Sequence, residues 1–215
     1  MTTAKRKSSN LSTSFELDPR KRLCILRLQS SDGTNRLTRA CVLGLTDAIA
    51  QLTRDPKPLI IAGNPRFFSA GADLAEIAAL TGPAAYEFSK IGQHLMNQLE
   101  NFPAPVYAAI DGYCMGGGLD LALACHRRIA SPHAIFGHRG AASGLMTGWG
   151  GTQRLPRLVG KARALELFLT AEKLHASQAL AIGLVDAIAD NPVDYCLSGV
   201  HISLRAGYVE SAEAK

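Results

Sequence analysis

The stretch Cys114-Met115-Gly116-Gly117-Gly118-Leu119-Asp120 decides the fold assignment of this chain. It follows an apolar run, Pro105 to Ile110, which predicts a buried strand, and it precedes a helical-looking segment, Leu119 to Cys125. Glycine lets the backbone approach a ligand closely, and the first N–H groups of a helix are unpaired and lie at its positive end. The stretch therefore predicts a strand-to-helix turn whose amides hold an oxygen that becomes negative, with the Asp120 carboxylate one turn away.

A second glycine-containing turn, Phe68-Ser69-Ala70-Gly71-Ala72-Asp73-Leu74, has a similar setting. It follows another short apolar run, Leu59 to Ala62, and opens a helix predicted from Asp73 to Leu80. Two such turns on one sheet can direct backbone N–H groups at a common point, which is the geometry of an oxyanion hole. The alternative is that both are merely tight turns. Neither has the spacing of a dinucleotide-binding or P-loop motif, which disfavours a nucleotide-binding role.

The rest of the chain has the patterning of a single α/β domain. Short apolar runs predict strands over 23–28, 59–62, 106–110, 128–130, 134–136 and 184–188, and the stretch 63–71 is predicted as loop. Helical spacing predicts helices over 37–52, 73–80, 84–101, 161–170 and around 193–204, with Ser177 as the N-cap of another helix that ends at Ala181. Strands that alternate with helices predict a largely parallel sheet. We expect a flexible basic tail over 1–14, one core domain over 15–190 and a short C-terminal segment over 191–215.

The composition disfavours several classes of protein. The chain has 215 residues, of which 47% are hydrophobic, and this is enough for one well-buried domain. No apolar run approaches the ~20 residues that span a bilayer, and no apolar segment follows the basic N-terminus to make a secretory signal. The net charge of +5 is spread along the chain, which is weak support for a nucleic-acid partner. We therefore expect neither a membrane nor a nucleic acid as partner.

The cysteines are scattered through the chain and show no pairing pattern. There are five of them, an odd number, and none has C-x-x-C spacing. This argues against both a disulfide framework and a zinc site, and the histidines have no ligand spacing either. The sequence predicts a cytoplasmic protein in a reducing compartment, without a bound metal.

Four ordered motifs resemble the enoyl-CoA hydratase/isomerase family, also called crotonases, over approximately Leu23 to Ile188. The first is the turn 68–74, and the second is the longer stretch around the first turn, Ile110-Asp-Gly-Tyr-Cys-Met-Gly-Gly-Gly-Leu-Asp-Leu-Ala-Leu-Ala124. The third is Gly148-Trp-Gly-Gly-Thr-Gln-Arg-Leu-Pro-Arg-Leu-Val-Gly160, and the fourth is Leu174-His-Ala-Ser-Gln-Ala-Leu-Ala-Ile-Gly-Leu-Val-Asp186. Four motifs in this order over most of the chain make a chance similarity improbable.

The resemblance implies a fold, a ligand and a set of site residues. The fold would be the crotonase fold of repeated ββα units, here with a shortened C-terminal helical region. The substrate would be an acyl-CoA thioester, with no separate cofactor, and its carbonyl would be bound by the backbone amides of Ala72 and Gly117. The implied assembly is a homotrimer or hexamer, which the short C-terminus weakens. Further substrate-binding positions fall on Ala70, Gly71, Asp73, Leu74, Gly116 and Gly140.

The two glutamates that family hydratases use for acid and base catalysis are not both matched. The first position is Asp120, and the second is Gly140, which has no side chain to transfer a proton. His138 lies two residues earlier and is a candidate for proton transfer, although its family position is usually a glutamine that would only hydrogen-bond locally. Glycine also occupies the second position in dihydroxynaphthoyl-CoA synthases, but Thr147 stands where that subgroup has an aspartate.

Several side chains near these motifs have two interpretations. Glu76 either lines the acyl pocket or lies on the surface, and Arg139 either contacts an anionic group of the substrate or is solvated. Trp149 either packs before the helix 161–170 or touches the acyl chain. The leading hypothesis is an acyl-CoA enzyme that uses Asp120 for proton transfer, and isomerisation needs fewer carboxylates than hydration. The alternative is an acyl-CoA-binding protein that kept the amides but lost the chemistry. A serine peptidase is disfavoured because residues 112–120 contain no serine.

Overall fold

The computed structural model describes residues 14–206, so that residues 1–13 of the predicted basic tail and residues 207–215 lie outside it. Strands and helices alternate along this part of the chain. The strands are β1 (Phe15–Pro19), β2 (Cys24–Leu28), β3 (Arg36–Leu37), β4 (Leu59–Ala62), β5 (Phe67–Ser69), β6 (Gly71–Ala72), β7 (Val106–Ile110), β8 (Tyr113–Met115), β9 (Arg127–Ala130), β10 (Ile135–Gly137), β11 (Leu174–His175) and β12 (Ala187–Ile188). The helices are α1 (Arg39–Leu52), α2 (Leu74–Ala78), α3 (Gly82–Glu100), α4 (Gly117–Ala124), α5 (Gly151–Val159), α6 (Lys161–Thr170), α7 (Ala176–Ala181) and α8 (Pro192–Ala206).

The largest sheet has the strand order β1-β2-β4-β7-β9-β12. Its edge strand β1 is antiparallel to β2, and all the other pairs are parallel, as the alternation of strands and helices predicts. The central strand β4 pairs residue for residue with β7, from Leu59 opposite Val106 to Ala62 opposite Ala109. All four residues of β4 are buried, which explains why this strand has an unbroken apolar sequence.

Both faces of this sheet are covered. Alternate residues of a strand point to opposite faces, so Leu59 and Ile61 belong to the main core, whereas Ile60 joins a second cluster on the other side. That second cluster also contains Cys196 of α8. The helix predicted around 193–204 is therefore present and packs on the sheet of the core domain.

Two smaller sheets contain the strands next to the two glycine turns. One has the order β11-β10-β8-β5, and the other is the parallel pair β3-β6. In the first, Gly137 lies opposite Met115, which brings the chain after β10 beside the glycine turn that follows β8. In the second, Ala72 lies opposite Leu37, which fixes the backbone of the other glycine turn.

Some predicted boundaries are wrong. The stretch 63–71, predicted as loop, contains β5 and the start of β6, because three- and two-residue strands are created by pairing partners distant in sequence and have no periodicity of their own. The last strand is 187–188 rather than 184–188. Ser177 is not an N-cap: α7 begins at Ala176 and is capped by His175, whose N–H donates to Gln178 Oε1 at 2.9 Å.

Candidate active site

A cavity of about 380 Å³ lies between the start of α4, the segment after β10 and the helices α2 and α3. Most of its lining is apolar, and its polar side chains are those of Ser89, Asp120, His138, Arg139, Ser143 and Thr147. This is the usual character of a site for a small organic ligand. The apolar lining includes Leu74, Ile77, Leu80, Ala85, Phe88, Met115, Leu145, Met146, Trp149 and Phe168.

The two glycine turns meet at the wall of this cavity. Gly117 is the first residue of α4, so its N–H has no partner within the helix and lies at the positive end of the helix dipole. A Cβ built on Gly117 would lie 3.2 Å from the backbone N of Ala72. Gly71 has φ 94°, a conformation that side chains disfavour, and a Cβ there would lie 2.6 Å from Met115 O. The two turns are therefore close enough to share one ligand atom only because these positions are glycine.

The turn that holds Ala72 is fixed by a buried polar network. Asn35 is buried with φ 52°, and its Nδ2 donates to Phe67 O at 2.9 Å and Phe68 O at 3.2 Å. The Ser69 hydroxyl donates to Asn35 O at 2.7 Å and accepts from Gly71 N at 3.1 Å. Such a network holds the N–H of Ala72 in place before any ligand arrives.

Asp120 lies in the first turn of α4 and is almost completely buried, with 1% of its surface exposed. The hydroxyl of Thr147 donates a hydrogen bond to its Oδ2. Burial raises the pKa of the Asp120 carboxyl to about 7, although the Thr147 hydrogen bond, the charge of Arg154 and the backbone N–H of Gly151 oppose the shift. A carboxyl with such a pKa can both accept and release a proton near neutral pH, which suits a general base.

His138 is the second buried titratable group at the cavity. Its Nε2 lies 3.4 Å from Asp120 Oδ1, and its ring packs 5.2 Å from the ring of Phe168, measured between centroids. Burial lowers the pKa of His138 to about 4, so the imidazole is neutral at physiological pH. The structure therefore brings His138 beside Asp120.

Trp149 lines the cavity beside Gly117. Its Nε1 donates to Phe88 O at 3.3 Å, and the two aromatic rings are 5.3 Å apart. A Cβ at Gly92 would overlap the indole, and one at Gly117 would lie 2.5 Å from it. Trp149 thus lies just before α5, which separates it from α6, and it lines the cavity, while its contact with an acyl chain stays a prediction.

Arg154 of α5 hydrogen-bonds to the backbone of Trp149. Its side chain is buried and donates to Trp149 O at 3.3 Å, Asn97 Oδ1 at 2.7 Å and Glu100 Oε2 at 2.6 Å. These contacts connect α5 to α3. Neither Arg154 nor α5 was singled out from the sequence, because Gly150, Gly151 and Pro156 interrupt the helical pattern.

Most of the predicted site residues come together at this cavity. Its lining includes Ala70, Ala72, Leu74, Gly116, Gly117, Asp120, His138, Arg139 and Gly140. Gly71 and Asp73 are not part of the lining. Asp73 caps α2, because its side chain accepts hydrogen bonds from the N–H groups of Ala75 and Glu76. It also forms an ion pair with Arg36. Glu76 accepts from Arg39 N at 2.7 Å, so its role is to cap α1.

Gly140 lies at the start of a single 3₁₀ turn, Gly140–Ser143. A Cβ there would lie 2.6 Å from Leu145 O, because Leu145 N donates back to Gly140 O at 2.8 Å. The loop is therefore built around a residue without a side chain. Thr147 and Gly151, which touch Asp120, are site residues that the sequence analysis missed as such. The sequence did hold one signal for Thr147, since dihydroxynaphthoyl-CoA synthases have an aspartate at this position.

Three further observations concern residues 14–206. All five cysteines are buried and free. No group of three or more His, Cys, Asp and Glu side chains in this part of the chain could hold a metal ion. None of the helices described here is long and apolar enough to cross a membrane.

Comparisons with known proteins agree with the resemblance. The model of the family described as enoyl-CoA hydratase/isomerase matches residues 19–202. Crotonyl-CoA hydratase of Syntrophomonas wolfei is 38% identical over 175 residues, which are 80% of this chain and 67% of that protein. The structure of DspI from Pseudomonas aeruginosa matches with a TM-score of 0.86 at 34% identity and covers 94% of this chain and 84% of that one. An enoyl-CoA hydratase structure from Bacillus anthracis matches with a TM-score of 0.81 at 31% identity, covering 91% and 77%.

The matches cover a smaller share of the curated relatives than of this chain. In three of the curated relatives, the matched part of the chain spans between 21% and 67% of the relative's length. The solved structures cover nearly all of the described residues, and the predicted crotonase fold is confirmed by them.

Proposed function

The chain belongs to the enoyl-CoA hydratase/isomerase family, and we propose that it is an enzyme that processes an acyl-CoA thioester. The observation that carries this proposal is the buried Asp120 carboxyl, three residues after Gly117, in the wall of a cavity with a mostly apolar lining. The apolar lining suits an acyl chain, and the polar side chains beside Asp120, those of Thr147 and His138, suit the reacting thioester.

In the proposed reaction, the thioester carbonyl oxygen accepts hydrogen bonds from the N–H groups of Ala72 and Gly117. Asp120, as carboxylate, takes a proton from a carbon next to the carbonyl or conjugated with it. The electron pair of that C–H bond delocalises onto the carbonyl oxygen and makes an enolate, which the two amides stabilise. Return of the proton from Asp120 to another carbon of the same system completes an isomerisation. Each fixed donor of such a pair typically contributes about 3–4 kcal/mol to transition-state stabilisation.

Among the described residues that line the cavity, Asp120 is the only carboxylate, which favours isomerisation over hydration as the proposed reaction. Hydration needs one group to activate water and another to deliver a proton to carbon, whereas a proton shift needs one group that does both in turn. Gly140 supplies no side chain, and its surroundings leave no room for one without a shift of the loop.

The test is turnover of purified protein with short- and medium-chain enoyl-CoA substrates, for both double-bond migration and hydration. We expect Asp120→Asn, which keeps the shape of the side chain, to lower kcat by at least about 10²-fold with a smaller effect on KM. Asp55→Asn, an exposed position far along the chain from the site, serves as the matched control. Unchanged turnover in Asp120→Asn would refute the proposed role of this residue.

A second candidate is an acyl-CoA-binding protein that keeps the amides but has lost the chemistry, and the environment of Gly140 favours it. The same experiment separates the two candidates. Submicromolar binding of an acyl-CoA without turnover of any substrate would support the binding protein, whereas turnover that depends on Asp120 would support the enzyme.

The remaining expectations from the resemblance stay predictions. We propose a homotrimer or hexamer, which sedimentation equilibrium of the full chain tests. The cytoplasmic location and the need for no cofactor beyond the acyl-CoA substrate are likewise open to localisation and activity measurements.

A further inference from the structure

Two buried polar atoms beside the cavity, Asp120 Oδ1 and His138 Nε2, have no hydrogen-bond partner within the described residues. Buried polar atoms are nearly always hydrogen-bonded, so each such exception needs an explanation. The two atoms lie 3.4 Å apart, slightly beyond ordinary hydrogen-bond length. A movement of a few tenths of an ångström by either side chain would pair them with each other.

The packing around the two atoms leaves no room for a side chain at the neighbouring position, residue 151. The first residue of α5 is Gly151, and a Cβ there would overlap Asp120 Oδ1 and lie 3.0 Å from His138 Nε2. The ring of Phe168 covers the imidazole from α6. Thr147 already donates to the other carboxyl oxygen, Oδ2. Oδ1 and Nε2 are therefore left facing one another in a space that only glycine keeps open.

Burial opposes a charge on either partner. Desolvation raises the pKa of Asp120 and lowers that of His138, so burial favours the neutral form of both. The other charged or titratable groups that face Asp120 are Arg154 from α5, whose charge is compensated by Glu100 from α3, and the buried thiol of Cys114 from β8. A proton placed between Oδ1 and Nε2 satisfies both unpartnered atoms at once.

We propose that Asp120 and His138 form one proton-transfer unit, in which the proton that Asp120 takes up is held between Oδ1 and Nε2. When Asp120 accepts a proton from a substrate carbon, the new O–H donates to Nε2, and the same proton leaves from Oδ1 when it returns to carbon. His138 is then a positioning residue that acts through Asp120 and takes the place of a group that Gly140 cannot supply. The use of this proton in catalysis rests on the proposed function, but the pairing itself does not.

The first test is an NMR titration of the full-length protein without substrate. The ¹³Cγ shift of Asp120 and the ring ¹⁵N shifts of His138 are followed from pH 5 to 9, with the exposed His94 as reference. We expect both residues to report one common midpoint near neutral pH, and His138 to lose that step in Asp120→Asn. Titration of Asp120 without a simultaneous change at His138 would overturn the proposal.

The second test compares two substitutions of His138. Glutamine can hydrogen-bond to Asp120 but does not bind a proton at neutral pH, and leucine can do neither. We expect His138→Leu to lower kcat at least tenfold with KM within twofold, and His138→Gln to be intermediate, with a displaced midpoint in the pH profile of kcat for both. If both variants kept the kcat and the pH profile of the wild type, the proposal would be contradicted.

The two tests also separate this inference from the proposed function. A protein that shows the common midpoint but turns over no substrate refutes the proposed function and leaves the pairing in place. An active enzyme whose two residues titrate independently refutes the pairing and leaves the proposed function in place.

Discussion

Gly151, the first residue of α5, is in contact with the carboxyl group of Asp120, which lies 31 positions earlier in the first turn of α4. A Cβ at Gly151 would overlap Oδ1 and would lie 2.9 Å from Thr147 Cγ2. The start of α5 thus packs against the carboxyl group that α4 carries. Burial of the carboxyl raises the pKa of Asp120, whereas the backbone N–H of Gly151 lowers it.

The first prediction concerns Gly151→Ala. The new methyl group must displace the Asp120 carboxyl or the start of α5, and a displacement of ~1 Å at a catalytic group can lower activity 10²-fold. We expect that loss in kcat/KM and a decrease of about 1–3 kcal/mol in the free energy of unfolding, measured by urea denaturation. Gly82→Ala is the matched control, since Gly82 is also the first residue of a helix and has open space around it. Similar activity losses in both variants would contradict the steric explanation.

The second prediction concerns Gly117→Ala. Its Cβ would meet the Trp149 ring at 2.5 Å and crowd Ala72 N at 3.2 Å, so the two amides cannot both keep their directions. We expect a decrease of 10²–10³-fold in kcat, the usual effect of losing one oxyanion donor. The control is Gly199→Ala in α8, where a Cβ meets nothing. Wild-type kcat in Gly117→Ala would show that this amide is not a donor in the transition state.

The third prediction concerns the dependence of stability on pH. Because burial raises the pKa of Asp120 from 3.8 to about 7, between pH 4 and 7 the folded state binds a proton that the unfolded state does not. The contribution of Asp120 to stability is therefore present below pH 4 and is lost as the pH rises to about 7. His138 contributes with the opposite sign between pH 4 and 6.5, since burial lowers its pKa to about 4.

A difference between variants isolates the contribution of Asp120. We expect the free energy of unfolding of Asp120→Asn, minus that of the wild type, to increase by roughly 4 kcal/mol from pH 4 to pH 8. Urea denaturation at several pH values measures it. Asp55→Asn, at a side chain that is 80% exposed, should show a constant difference. A constant difference for Asp120→Asn as well would contradict the raised pKa.

The fourth prediction concerns the buried arginine of α5. Arg154→Met removes the donor to Trp149 O and the ion pair with Glu100, and we expect a loss of about 2–4 kcal/mol in stability. It also removes a positive charge that acts on Asp120, so the pKa of Asp120 should rise further, as the NMR titration would show. Arg157→Met is the control on the same helix, because Arg157 is 69% exposed and lies 3.9 Å from Glu100. We expect that variant to stay within about 0.5 kcal/mol of the wild type.

The fifth prediction is that restoring the missing glutamate does not restore hydration. In Gly140→Glu, the Cβ would lie 2.6 Å from Leu145 O, so the loop must open before the carboxylate can reach the cavity. We expect no gain in hydration of an enoyl-CoA and a loss of the basal activity, assayed by absorbance of the conjugated thioester. Gly140→Ala should lose activity to a similar extent, because the first side-chain atom causes the conflict. Hydratase activity in Gly140→Glu alone would overturn this prediction.

The sequence by itself determined the elements that carry their own pattern. The strands β4 and β7 and the helix α6 are observed with the predicted bounds, because unbroken apolar runs and helical spacing are local properties. The placement of Asp120 in the first turn after a glycine-rich segment was predicted for the same reason. The four motifs were enough to identify the family and its fold.

Only the tertiary structure decided how these parts act on one another. The short strands β5 and β6 exist because distant partners pair with them, and α5 forms although glycine and proline interrupt its pattern. The approach of Gly151 and Thr147 to Asp120, and of His138 to its Oδ1, joins residues that lie 18 to 31 positions apart in the sequence. Burial and neighbouring dipoles set the pKa of a carboxyl, and both depend on how distant segments pack. The sequence could name Asp120 as a candidate for proton transfer, but the protonation of its carboxyl depends on the fold.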